Sequence, residues 1–121
     1  MLLAAQVLTT LVLLIHVYIV LLETLLFRSR GRRVFRLDAA RAEALAPLMS
    51  NQGCYNGFLV AALALGLYAP LPVATAQAFV WYGLGCVLVA GLWGAATVGI
   101  RILFVQALPA ALALLAWWLA R

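Results

Sequence analysis

Long apolar runs, separated by short polar segments, make up almost the whole chain. Four runs stand out, covering residues 2–27, 45–67, 73–95 and 102–119. Each is close to the roughly 20 residues that a helix needs to cross a hydrocarbon core of about 30 Å. Because backbone groups in lipid must be paired within the segment, we interpret these runs as helices. The pattern predicts an all-α fold, a four-helix transmembrane bundle forming a single domain over residues 1–121.

The segments between the runs predict the topology. Residues 28–44 form a basic loop, whereas residues 68–72 and 97–101 make short connections, so the helices that they join should be antiparallel neighbours. Six of the eight arginines fall between Arg28 and Arg41. The positive-inside rule places this loop in the cytoplasm, with residues 1 and 121 outside. We therefore expect a multi-pass membrane protein.

Composition narrows the set of partners. Apolar residues make up 69% of the chain and charged residues 9%, which is too few for the surface of a soluble domain. The positive charge is concentrated in one short loop beside lipid, so anionic lipid headgroups are the expected partner and nucleic acid is not. A homo-oligomer, either a dimer or a trimer, is left open.

Local signals add detail to the helices. We expect Asp38 to cap a short amphipathic helix at the membrane interface, with Pro47 marking the entry into the second membrane helix. Pro109 should bend the fourth helix. Small residues predict that the third helix is the most closely packed one; they are Gly83, Gly85, Gly91 and Gly94.

Cysteine, histidine and tryptophan give no sign of a cofactor. Cys54 and Cys86 lack metal-ligand spacing and are expected to be small packing residues. His16 has no second histidine or cysteine near it, so neither a metal site nor any cofactor is predicted. The tryptophans fit positions at the membrane interface; they are Trp81, Trp93, Trp117 and Trp118.

Polar residues inside the predicted helices are few, and they define the candidate site, since such groups are costly in lipid. His16 and Glu23 are seven residues apart and share one helix face. Two further pairs on the second helix have a spacing of four and form a polar stripe. The predicted ligand-binding residues are His16, Glu23, Asn51, Gln52, Tyr55, Asn56, Arg101 and Gln106.

The depth of these residues predicts a pocket that opens toward the cytoplasm. At about 1.5 Å per residue, all of them fall in the cytoplasmic half of the bilayer, and the outer half keeps Leu, Ala, Val and aromatic rings. Two other interpretations stay open. The amides could serve only as hydrogen bonds between helices, and Glu23 could pair with Arg101 or with an arginine of the loop.

Five segments, taken in order, resemble a family of small bacterial membrane proteins catalogued as a domain of unknown function, number thirteen-oh-four. The segments are residues 16–23, 31–35, 51–59, 91–97 and 102–110. The resemblance covers nearly the whole chain. It implies four membrane helices, the same polar residues and a place in a bacterial inner (plasma) membrane, but it does not imply any activity.

A looser likeness exists to the membrane-associated eicosanoid and glutathione metabolism superfamily, whose four-helix members often trimerise. That superfamily has an Arg-x-His-x-Asn-x-x-Glu-Asn pattern for glutathione on its second helix. The corresponding positions here are Leu48, Ser50, Gln52, Tyr55 and Asn56. Arg101 matches an arginine of the superfamily in type. The likeness implies a glutathione-transferase-like architecture.

Three functions follow from these observations. The leading one is a polar pocket that binds or carries a small amphipathic molecule or a lipid. The second is a membrane enzyme acting on a lipophilic substrate, with Glu23 or His16 as acid or base and Tyr55 as a hydrogen-bond donor. The third is an accessory or structural subunit. No nucleophile or cofactor motif accompanies Glu23, which favours binding over catalysis.

Overall fold

The computed structural model describes all 121 residues, Met1–Arg121, and every regular element in it is helical. The α-helices are α1 (Leu2–Glu23), α2 (Arg32–Val34), α3 (Ala39–Tyr68), α4 (Val73–Thr97) and α5 (Leu108–Leu119). Two π-helical segments complete the order: π1 (Phe27–Gly31) precedes α2, and π2 (Leu103–Ala107) precedes α5. The predicted all-α class is confirmed.

The chain divides into two compact units, which are described separately. The first unit consists of Met1–Ile15 and Leu59–Arg121, and the second unit is His16–Phe58. The first unit holds the larger apolar core, to which α1, α3, α4 and α5 all contribute. Its buried members are Val12, Leu13, Leu63, Val80, Leu84, Val87, Ala110 and Ala113. Four helices therefore pack around one core, as the sequence predicts.

Some of the glycines of α4 allow close packing in the first unit, but one of those predicted to do so does not. A Cβ atom on Gly91 would lie 2.6 Å from the backbone nitrogen of Ala107, so only glycine fits there. A Cβ on Gly94 would lie 3.0 Å from Ile102. Gly85 has nothing within 4 Å of the corresponding position, and the prediction is wrong for this residue.

The bend predicted at Pro109 takes the form of the π2 segment. Proline cannot donate a backbone hydrogen bond, and in an α-helix its ring would clash with the carbonyl four residues earlier. The wider turn accommodates it: the backbone N–H of Leu108 donates to the carbonyl of Leu103, five residues back. The predicted fourth helix is thus π2 followed by α5.

The prediction that residues 28–44 form a loop is wrong, because most of this segment of the second unit is helical. Helix α1 ends at Glu23 rather than near residue 27, and π1 and α2 follow it. Gly31 makes this turn possible, since a Cβ atom there would collide with the backbone carbonyl of Leu22. Arg36 then ends α2 in the left-handed conformation, with φ 56°.

Asp38 caps helix α3, as predicted. Its Oδ1 atom accepts a 2.8 Å hydrogen bond from the backbone N–H of Arg41. The separate interfacial helix is wrong, because α3 runs without interruption from Ala39 to Tyr68 and Pro47 lies inside it. The reason is packing: Ala42 and Ala46, before the proline, are buried against Phe27, and Met49, after it, packs against the same cluster, so helix α3 is held on both sides of the proline.

Two helices, α1 and α4, are long and apolar enough to cross a membrane by length and composition. The apolar segment Leu103–Leu119 is shorter. Helix α3 has the necessary length, but the amides between Asn51 and Asn56 lower its mean hydropathy. The α1 and α4 helices thus give partial support to a membrane location.

Candidate functional site

A carboxylate and an amide meet in the second unit. Asn56 Nδ2 donates a 2.7 Å hydrogen bond to Oε2 of Glu23. Glu23 is 7% exposed and Asn56 is half-buried. The Glu23 carboxylate at the end of α1 is thus held by an amide of α3 and not by an arginine. This pair is the centre of the candidate site.

The backbone of α3 comes close to α1 beside this pair. Gly53, three residues before Asn56, is buried, and a Cβ atom on it would lie 2.5 Å from the Thr24 side chain and 3.2 Å from Cβ of Glu23. The hydroxyl of Thr24 donates to the carbonyl of Val20 at 2.6 Å. Thr24 thus bonds back to the last turn of α1, while the Asn56 amide bonds to Glu23.

His16 lies two helical turns before Glu23 and is 1% exposed. The spacing of seven residues predicts that both side chains share one face of α1, and both are buried. An imidazole and a carboxylate of α1 are thus both withdrawn from solvent.

The polar stripe predicted on the second membrane helix is split between two faces of α3. Asn56 and Gly53 are on the side of Glu23, whereas Asn51 is exposed and Tyr55 is 60% exposed. Successive residues of an α-helix are rotated by about 100°, so positions 51 and 56 differ by about 140°. Asn51 and Asn56 therefore face different sides of α3. Tyr55 instead packs edge-on against Phe58, with ring centroids 5.9 Å apart.

The three remaining candidates are less buried. Gln52 is exposed on α3. Arg101 is exposed, and Gln106 is half-buried within π2; both belong to the first unit. Of the eight residues predicted for the site, the structure joins Glu23 and Asn56 directly and buries His16, two helical turns before Glu23 on α1.

Arg28 forms an ion pair with Glu43 in the second unit. Glu23, which could have paired with an arginine of the basic segment 28–44, is bonded to Asn56 instead. Arg28 Nε and Nη2 each donate to the Glu43 carboxylate at 2.9 Å, in a two-pronged arrangement. The hydrogen bond and the charge of Arg28 lower the pKa of Glu43. In turn, the hydrogen bond to Glu43 and its charge raise the pKa of Arg28. Both side chains are 67% exposed, so solvent weakens this pair.

A second arginine of this segment contacts Tyr18 on α1. Arg30 Nε donates a 2.6 Å hydrogen bond to the Tyr18 hydroxyl, and its guanidinium carbon lies 5.6 Å from the centre of the ring. Next to it, Arg30, Arg33 and Val34 line an open depression of about 350 Å³. Guanidinium groups beside a depression are suited to binding an anion such as phosphate.

Sequence reasoning missed two polar contacts in the first unit. Trp117 Nε1 donates a 2.9 Å hydrogen bond to the hydroxyl of Thr9, which is fully buried. The hydroxyls of Thr10 and Tyr68 share a 2.6 Å hydrogen bond beside a groove of about 490 Å³. The sequence offers a signal for both contacts, because two adjacent threonines, at positions 9 and 10, lie inside a mostly apolar run.

The cysteines and tryptophans agree only in part with their predicted roles. Cys54 is exposed, so it is not a packing residue, and Cys86 is half-buried. Trp93 and Trp118 are 73% and 60% exposed, which suits interfacial positions. Trp117 is half-buried, and its indole N–H is used within the protein.

The fold and the site define an all-helical protein with two helices long enough to cross a membrane and a buried carboxylate–amide pair. The model of the DUF1304 family, described as a protein of unknown function, matches residues 10–118 of the chain. The chain belongs to this family, which confirms the first resemblance. No curated protein and no solved structure matches the chain.

Proposed function

We propose that the protein is an integral membrane protein that binds a lipid or another small amphipathic molecule around Glu23 and Asn56. The observation that carries this proposal is the 2.7 Å hydrogen bond between a nearly buried carboxylate and an amide. Polar groups of this kind are costly inside a membrane helix and mark binding or transport sites. The apolar length of α1 supplies the lipid-facing surface.

The hydrogen bonding of Glu23 and Asn56 indicates which kind of lipid headgroup would bind. Asn56 occupies one carboxylate oxygen of Glu23, and the other can accept a hydrogen bond from a ligand hydroxyl or ammonium group. The arginines of π1 and α2 add positive charge, which suits a phosphate. The ligand class is therefore a phospholipid whose headgroup also carries a hydrogen-bond donor.

The positive-inside rule supplies the orientation. Arg28–Arg41 would lie on the cytoplasmic side, and α1, α3, α4 and π2 with α5 would cross the membrane, with residues 1 and 121 outside. Glu23 and Asn56 would then lie in the cytoplasmic half of the bilayer, within reach of headgroups of the inner leaflet. The membrane would be a bacterial inner membrane.

Binding is favoured over catalysis because of where Tyr55 lies. An enzyme using Glu23 as acid or base needs a second polar group facing the substrate, and Tyr55 was the predicted donor. Its ring is 60% exposed and packs against Phe58, away from the side of α3 that carries Asn56. The accessory-subunit alternative remains, because Asn56 could simply join two helices.

Retention of lipids from defined nanodiscs tests the proposal. Protein would be reconstituted with phosphatidylethanolamine, phosphatidylglycerol or phosphatidylcholine, and bound lipid would be measured by native mass spectrometry. We expect the first two to be retained over phosphatidylcholine, whose headgroup has no hydrogen-bond donor. Glu23→Gln should remove this preference, and Gln52→Leu, at an exposed position of α3, should keep it. Equal retention of all three lipids by the wild type would refute the proposal.

A further inference from the structure

The open depression of the second unit is lined by two cationic side chains and one apolar one. Its volume is about 350 Å³, and Arg30, Arg33 and Val34 line it. Arg30 lies in π1 and Arg33 follows three residues later in α2. Residues three apart on a helical segment are neighbours, so one ligand can contact both guanidinium groups. We call this space the arginine depression.

The positive charge of the arginine depression is not balanced within the chain. The sequence has only three acidic residues, and each of their carboxylates bonds to a group outside the depression. These bonds join Glu43 to Arg28, Glu23 to Asn56, and Asp38 to the backbone N–H of Arg41. Two guanidinium groups that share one space repel each other unless an anion lies between them. The depression therefore calls for an anion from outside the chain.

Arg30 is already positioned to receive such an anion. Its Nε atom donates a 2.6 Å hydrogen bond to the Tyr18 hydroxyl, and its guanidinium carbon lies 5.6 Å from the centre of the Tyr18 ring. That bond uses one of the five N–H groups of the guanidinium, and the four on the two Nη atoms remain for a ligand. Because Tyr18 already restrains this side chain, binding costs it less conformational entropy.

The number of donors and charges indicates the class of anion. A phosphate monoester carries a charge of about −1.5 to −2 and three acceptor oxygens, and a phosphate diester has fewer of both. Two guanidinium groups match the monoester. Val34, which is 48% exposed, adds an apolar contact beside the charges. We propose that the arginine depression binds a phosphate monoester, either the headgroup of a lipid such as phosphatidic acid or a free phosphate.

This site is separate from the Glu23 and Asn56 pair, and neither residue of the pair lines the arginine depression. Tyr18 and Glu23 are five residues apart on α1, so their side chains leave the helix about 140° apart. Loss of monoester binding would therefore leave the preference among phosphatidylethanolamine, phosphatidylglycerol and phosphatidylcholine intact. In Glu23→Gln, monoester binding should persist. The two proposals can fail separately.

Binding of short-chain lipids to the detergent-solubilised full chain tests the proposal. Calorimetry would compare dihexanoyl phosphatidic acid, a monoester, with dihexanoyl phosphatidylglycerol, a diester. We expect the monoester to bind roughly tenfold more tightly, the effect of about one more charge-assisted hydrogen bond. Inorganic phosphate would then be added as a competitor. Displacement of the lipid would identify free phosphate as a ligand, and retention of the lipid would identify the lipid headgroup.

Exchange of arginine for lysine separates geometry from charge. Arg30→Lys keeps the positive charge but loses the planar fork and the Nε bond to Tyr18, so it should weaken monoester binding roughly tenfold. Arg36→Lys makes the same exchange at an exposed position outside the depression and should leave binding unchanged. Circular dichroism should show the same helical content in both variants. The proposal is overturned if the wild type binds the two lipids equally, or if the two lysine variants bind the monoester equally.

Discussion

Glu23 and Asn56 are 33 positions apart in the sequence, yet the Asn56 amide donates a 2.7 Å hydrogen bond to the Glu23 carboxylate. The bond connects the end of α1 to the middle of α3 within the second unit. Gly53, one turn earlier on α3, permits the approach of the two backbones. A carboxylate that is 7% exposed depends on this donor, because a buried charge or polar group without partners is strongly destabilising.

The first prediction follows from that dependence. Asn56→Leu should lower the free energy of unfolding by about 1–3 kcal/mol, because it leaves the Glu23 carboxylate without its donor. Unfolding of the detergent-solubilised protein, followed by circular dichroism, measures the change. Gln52→Leu makes the same chemical change at an exposed position one turn away and should be close to neutral. Equal effects of the two substitutions would show that the hydrogen bond contributes nothing.

The two variants also separate a binding role from a purely structural one. If Asn56 only joins helices, Asn56→Leu should reduce stability and leave lipid preference unchanged in the protein that remains folded. If the pair is a binding site, Glu23→Gln should keep the Asn56 contact, stay folded and lose the preference.

Some features of the candidate site and of α3 can be predicted from the sequence, because they depend only on residues that are close neighbours along the chain. The seven-residue spacing of His16 and Glu23 places both on one face of α1, and both are buried. Asp38 caps α3 because its carboxylate can reach an N–H three residues ahead. Such features are decided within one or two helical turns, whatever the rest of the fold does.

Other features depend on partners far away in the chain, and the sequence does not predict them. Which of Asn51 and Asn56 turns inward is decided by packing beside Glu23, since either amide would fit a helix equally well. Thr9 and Trp117 are separated by 108 positions, and their hydrogen bond requires the folded first unit.

The second prediction concerns close packing in α4. Gly91→Leu should destabilise the protein by about 1–3 kcal/mol or more, because a side chain there collides with the backbone of Ala107. Gly85→Leu, six residues earlier on the same helix, adds the same volume where nothing lies within 4 Å. Thermal unfolding of the two variants in detergent measures the difference. A Gly91→Leu protein as stable as Gly85→Leu would contradict the observed approach of α4 to π2.

The third prediction uses backbone strain at Arg36. This residue has φ 56°, a conformation that costs a side-chain-bearing residue about 1–2 kcal/mol and costs glycine little. Arg36→Gly should therefore raise the free energy of unfolding by about 1 kcal/mol. Arg36→Ala removes the same charge but keeps the strain, so it should not stabilise. Equal effects of the two variants would attribute any gain to charge alone.

The fourth prediction concerns pH and the Arg28–Glu43 pair. The pKa of Glu43 is lowered from its ordinary value of 4.5 by the hydrogen bond and charge of Arg28. The pair therefore adds to stability above pH 4.5, and this contribution disappears as the pH falls through the lowered pKa. In Arg28→Gln, NMR titration should show the Glu43 pKa moving upward. Arg41→Gln, which removes an arginine not bonded to the carboxylate, is the matched control and should leave the Glu43 pKa in place.

The last prediction concerns topology, on which the assignment of the lipid site to the inner leaflet depends. Six arginines between Arg28 and Arg41 outweigh every other connection, so this segment should stay in the cytoplasm. A reporter fused after Arg121 should be active only outside the cytoplasm, because four crossings return the chain to the side where it began. The same reporter inserted after Phe35, in the exposed turn that follows α2, should be active only inside.

Replacing Arg30, Arg32 and Arg33 by glutamine should produce a mixed orientation, because this change removes half of the six positive charges that keep the segment in the cytoplasm. Cytoplasmic activity of the Arg121 fusion would overturn the orientation and move Glu23 and Asn56 to the outer leaflet.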